Sequence, residues 1–110
     1  MVIIETPVFT RLVRQWLSEE DYRLLQGYLN HYPDAGDVIP GSGGLRKIRW
    51  NAFQKGKRGG VRVIYYWATR FDQILMLYIY PKNRQDDLTF QQLKLLRSII
   101  REEYHGKENV

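Results

Sequence analysis

Three segments of this chain, residues 45–50, 61–68 and 73–80, are rich in β-branched and aromatic side chains, and only turn-forming stretches separate them. Runs of this kind, bounded by Gly, Lys, Asn and Asp, read as successive strands of a hairpin meander. Any fold available to the chain must accommodate that meander. Along the first strand, side chains alternate between the two faces of the sheet. Arg46, Ile48 and Trp50 therefore share one face, and Leu45, Lys47 and Arg49 share the other.

What precedes and follows the meander is mostly helical in pattern. Residues 2–4 are a short β-branched run that reads as an edge strand. Pro7 suits a first helical turn, and Val8, Phe9, Leu12, Val13 and Trp16 recur at helical spacing. Ser18 with Asp21 three residues on resembles a capping box, and Tyr22, Leu25, Tyr28, Leu29 and Tyr32 continue one face of a second helix. Two antiparallel helices with a tight turn at Leu17 and Ser18 are expected. Residues 31–44 are turn formers without periodicity, which predicts a loop back to the sheet. A last helix is predicted over 89–104, with Phe90, Leu93, Leu96, Ile100 and Tyr104 on one face and Asp87 or Thr89 as cap. The predicted order is β-α-α-β-β-β-α: one α+β domain over 1–110, an antiparallel meander with an N-terminal edge strand, and a frayed tail at 105–110.

Charge is distributed unevenly over this frame. Between Asp37 and Asp72 there is no acidic side chain, yet Arg46, Lys47, Arg49, Lys55, Lys57, Arg58, Arg62 and Arg70 fall there. These eight come from a total of 17 Lys and Arg against 12 Asp and Glu, so the remaining nine basic residues are outnumbered by acids. A local excess on a net acidic remainder is the footprint of a polyanion site. With no cysteine there are no disulfides and no thiolate metal sites. His31 and His105 lie outside any ligand spacing, so neither a metal nor another cofactor is expected. The start of the chain lacks a basic leader and no apolar run reaches membrane-spanning length, which points to a cytoplasmic domain with no membrane partner.

Within the basic stretch, Lys47 and Arg49 share a face, and a hairpin register that sets Arg62 beside them would converge three cations. Crowding of this kind lowers a lysine pKa, because each neighbouring charge disfavours protonation. A lysine so tuned can take a proton while a guanidinium holds phosphate oxygens in bidentate fashion. An exposed sheet face of solvated cations is the plainer reading of the same residues. Tyr80 and Lys82 stand where the last strand leaves the sheet, positioned to stack on a base, donate a proton or neutralise a leaving oxyanion, with Asn83 and Arg84 beside them. The segment around Lys55, Lys57 and Arg58 lacks the Lys-Ser/Thr ending of a phosphate-binding loop and reads as a basic finger for backbone phosphates. Asp86 and Asp87 read as helix-start residues.

The combination GGLRKIRW, GKRGGVRVIYY and LYIYPKNRQDDLT, behind two N-terminal helices, resembles the RelE-superfamily toxins of type II toxin–antitoxin systems, in particular the HigB-like branch. The resemblance runs from about Val2 to Arg101 and is most specific at Lys47-Ile48-Arg49 and at Gly60-Val61-Arg62-Val63-Ile64-Tyr65. It implies a RelE-like domain that cleaves messenger RNA in the ribosomal A site without metal, inhibits translation and is neutralised by a cognate antitoxin protein.

By the same resemblance, Lys47 and Arg49 match the paired basic positions of the family's central strand, one acting as base and the other stabilising charge. Arg62 matches the arginine that contacts the scissile phosphate, and Lys82 matches a basic position after the last strand. Asn83 stands where many such toxins carry another phosphate-binding arginine, and Thr89 where some carry a catalytic tyrosine, which leaves Tyr80 as the substitute proton donor. Lys55, Lys57, Arg58, Asn83 and Arg84 would hold the ribosomal or messenger backbone, together with Arg46. Two further functions remain open at this point. One is a non-catalytic ParE-like toxin that binds DNA gyrase. The other is a nucleic-acid-binding module without strand scission.

Overall fold

The computed structural model describes residues 1–51 and 60–105. The meander is present: β3 (Leu45–Trp50), β4 (Val61–Ala68) and β5 (Gln73–Pro81) pair as antiparallel neighbours. Two shorter strands extend it to five, in the order β1-β5-β4-β3-β2. β1 (Val2–Glu5) is the expected edge strand, but it runs parallel to β5, so the sheet is mixed rather than wholly antiparallel. β2 (Asp37–Val38) lies inside the segment expected to be loop and pairs with Arg46 and Lys47 of β3. Two residues are too few for any periodicity to announce them.

The helices begin where their caps dictate. Thr6 caps α1 (Pro7–Trp16), its hydroxyl accepting from the Phe9 amide at 3.2 Å, and Ser18 caps α2 (Glu19–His31) by accepting from the Asp21 amide at 3.0 Å. Thr89, not Asp87, caps α3 (Phe90–Ile100), in a reciprocal capping box with Gln92. Beyond Ile100 the chain continues as a π-helical turn, Arg101–His105, which still buries Tyr104.

Each face of the sheet has its own core. Phe9, Val13 and Leu17 of the first helical segment, with Leu25 and Leu29 of α2, pack on Ile48, Val61, Val63, Tyr65, Ile74, Met76 and Ile79. On the other face, Leu96, Ile100 and Tyr104 pack on Leu45, Ile64, Ala68, Leu75, Leu77 and Tyr80. Completely buried side chains such as Phe9, Leu25 and Leu29 each contribute about 1.5–3 kcal/mol relative to exposure. Three expected core positions depart from the pattern. Phe90 is 78% exposed, because α3 first meets the sheet one turn later, at Leu93. Tyr28 and Tyr32 flank the buried Leu25–Leu29 stripe, remain exposed, and meet each other as a tilted pair with ring centroids 5.2 Å apart.

β5 contains a bulge that decides which face its last residues serve. Ile64 pairs with Tyr78 but Tyr65 pairs with Met76, so Leu77 is an extra residue on β5. Leu75 and Leu77 pack with α3, and so do Tyr78 and Tyr80, although their numbers have the opposite parity. The bulge is tied to the first helix. The Thr6 amide donates to the Met76 carbonyl at 3.1 Å, and the Thr6 hydroxyl donates to the Leu77 carbonyl at 3.4 Å.

Candidate functional site

The hairpin register brings the expected cations together. Arg49 and Arg62 are directly opposed across β3 and β4, and Arg62 is opposed in turn by Tyr80 on β5. Two residues along, Lys47, Ile64 and Tyr78 form the neighbouring rung. Because strand side chains repeat with period two, the two rungs present Lys47, Arg49, Arg62, Tyr78 and Tyr80 on one face, the face covered by α3. The bulge is what places both tyrosines there.

The burial of these groups differs sharply. Arg49 is exposed, Lys47 is half-buried, and Arg62 is only 3% exposed. A buried guanidinium is costly unless its charge and donors are satisfied, which fixes Arg62 as an organised part of the site. Gly60 opens β4 at φ +68, where a Cβ would collide with the Trp50 carbonyl, so a glycine is required for the chain to approach β3 this closely.

An acid joins the cluster that the basic stretch itself does not supply. Asp87 Oδ1 lies 2.7 Å from Lys47 Nζ. The lysine's hydrogen bond and charge, with a smaller contribution from Arg62, hold the Asp87 carboxyl below its ordinary value. The expected crowding of Lys47 by like charges is thus replaced by an ion pair that neutralises it locally. Sequence reasoning gave Asp87 to the helix start. The pair spans forty positions, and no local pattern signals it.

Tyr80 is buried, and its hydroxyl donates to the Asp86 carbonyl at 3.2 Å. Burial first, then the nearby Asp87 charge, push its phenol up to about 12, with Arg62 opposing. Tyr80 therefore keeps its proton at neutral pH. Its neighbour Tyr78, with ring centroids 5.7 Å apart, accepts from Gln92 Nε2 at 3.2 Å. Gln92 also accepts from the Thr89 amide and from Gln85, so the start of α3 is fastened to the site through one side chain.

Of the remaining expected residues, Lys82 borders this centre and the others lie apart from it. Lys82 is exposed, and its amide donates to the Gly60 carbonyl at 3.3 Å, which puts it at the same end of the sheet as Arg62. Asn83 is exposed in the following turn. Arg84 sits over the Trp16 ring at 5.0 Å, on the side of the α1 core. Arg46 faces away from Lys47, as alternation requires. It donates to the Gly36 and Asp34 carbonyls and lies 6.0 Å from the Trp67 ring centre, so its guanidinium is engaged in holding the loop before β2. Lys55, Lys57 and Arg58 lie outside the described residues.

Such a cluster can bind a phosphodiester through Arg49 and Lys47, with Arg62 behind them and a protonated phenol beside them. The anion position at Lys47 is held by Asp87, so an incoming phosphate competes with a carboxylate already in place. No known protein-family model matches the chain. Among the described residues, no helix is long and apolar enough to cross a membrane.

Proposed function

We propose that this protein is a RelE-like toxin of a type II toxin–antitoxin pair, which cleaves ribosome-bound messenger RNA without metal. The observation that supports the reading best is the rung Arg49–Arg62–Tyr80, with Lys47 on the same face two residues away. The RNA's own 2′-hydroxyl is the nucleophile. Its oxygen forms a bond to phosphorus as the bond from phosphorus to the 5′-oxygen breaks, giving a 2′,3′-cyclic phosphate and a 5′-hydroxyl. The 2′ proton leaves to the Asp87 carboxylate, the unprotonated member of the Lys47–Asp87 pair, and Arg49 with Arg62 stabilises the charge that develops on the phosphorane. Tyr80 gives up its proton only to a strong base, and the departing 5′-oxygen is one. Engaging substrate exchanges its present hydrogen bond to Asp86 for that oxygen. Lys82 assists on the leaving side from the end of β5.

The test is message cleavage in purified translating ribosomes. Cutting is expected from the wild type and is expected to fall by about 10²-fold or more in Arg49→Ala and Arg62→Ala. Unchanged cutting by both variants overturns the assignment, and so does inhibition of purified gyrase with no RNA cutting.

A further inference from the structure

The basic cluster continues around the outer edge of β3 into an aromatic groove that the proposed chemistry does not use. β2 covers β3 only at Arg46 and Lys47, so no strand among the described residues pairs along its outer edge at Arg49 and Trp50. There a groove is lined by Leu24, Tyr28, Arg49, Trp50 and Asn51, and by Asp21, which is only 3% exposed. Tyr28 is 43% exposed and stands against Trp50 with ring centroids 5.6 Å apart and planes tilted by 48°. Leu24 is exposed on the preceding turn of α2.

Three observations together narrow the occupant. α2 places Leu25 and Leu29 in the core, while Tyr28 keeps an accessible ring. Arg49 borders both the groove and the phosphate-binding face, so the two are one continuous surface. The basic stretch from 38 to 71 contributes no acid to it, and the one carboxylate that lines it is buried. A cation beside an accessible aromatic pair suits an unstacked nucleobase joined to a phosphate, since every base offers a π face.

We infer that the Tyr28–Trp50 shelf stacks a base of single-stranded RNA next to the phosphate held by Arg49. This rests on the RNA-binding part of the function proposed above, not on cleavage. The shelf supplies affinity and position with little preference among bases, because stacking reads the ring and not its edge.

The experiment uses the full chain and a short 2′-O-methyl RNA, which cannot be cut, beside the same backbone with abasic sites. Wild type is expected to bind the base-bearing strand about tenfold more tightly. Tyr28→Ala is expected to lose that preference, Tyr28→Phe to keep it, and Arg49→Ala to weaken both strands alike. Equal binding of the two strands by wild type, or an undiminished preference in Tyr28→Ala, overturns the inference. Failure to bind either strand, with Tyr28→Ala relieving growth arrest in cells, would give the shelf to a protein partner and overturn it too. A base preference in a protein that cuts no message leaves the shelf standing and removes only the proposed cleavage.

Discussion

Lys47 and Asp87 meet at 2.7 Å although forty positions separate them, and their pairing puts a carboxylate where an RNA phosphate is expected to bind. The contact joins β3 to the segment before α3. It also ties the stability of that junction to the ionisation of one exposed carboxyl.

The sign of the pH effect follows from the direction of the shift. Asp87 is held below its ordinary value of 3.8, so the stabilisation it brings is fully present above that value and is lost as pH falls through the depressed one. The Tm difference between wild type and Asp87→Asn should be widest near neutrality and shrink as acid is added. High salt should shrink it too, because the pair is exposed. A difference that stays constant down to strong acid contradicts the pairing.

Tyr80 produces the opposite dependence. Its phenol is raised from 10.0 to about 12, so its contribution is present below the ordinary value and lost as pH rises through the shifted one. Tyr80→Phe should lose less stability than wild type between those two values. Comparing the single variant with wild type isolates Tyr80 from Tyr65 and Tyr104, which are also raised by burial. Parallel alkaline melting curves for the two proteins would contradict the burial of the hydroxyl.

Arg49 is exposed, so replacing it tests binding with little effect on the fold. Arg49→Ala should reduce the slope of log affinity against log salt by about 0.7 for single-stranded RNA, the value expected for one phosphate contact. An unchanged slope would mean that no phosphate sits at Arg49.

Thr6 makes two contacts with one hydroxyl: it accepts from the Phe9 amide and donates to the Leu77 carbonyl. Thr6→Val keeps the shape and removes both, and should cost about 1–2 kcal/mol in urea unfolding, whereas Thr6→Ser should cost much less. A costly Thr6→Ser beside a nearly neutral Thr6→Val would mean that the methyl group, not the hydroxyl, matters at this position.

Much of this architecture could be read from the chain. The three long strands announce themselves by composition, and alternation alone puts Lys47 and Arg49 together with Arg46 behind them. Pro7, Ser18 and Thr89 mark helix starts through local chemistry that needs no tertiary context. What could not be read depends on contacts distant in sequence. β2 pairs with β3 at Arg46 and Lys47, and β1 runs parallel beside β5, a partner distant in sequence. Asp87 looks like an ordinary helix-start residue until Lys47 is placed beside it. The apolar run from Ile74 to Tyr80 contains no polar residue to mark phase, so the bulge within it leaves no trace in the sequence.

That bulge divides β5 into two half-strands with separate duties. Upstream, odd positions face α3 and answer to its packing; downstream, even positions do. One extra backbone unit thus lets the strand change phase between its first half and the half that pairs with Arg62. The tyrosines beside Arg62 can then be tuned without moving the leucines that seat α3. The phase change is fastened at Thr6, the residue that also starts α1, so the first turn of the first helix sets the orientation of side chains near the end of the last strand.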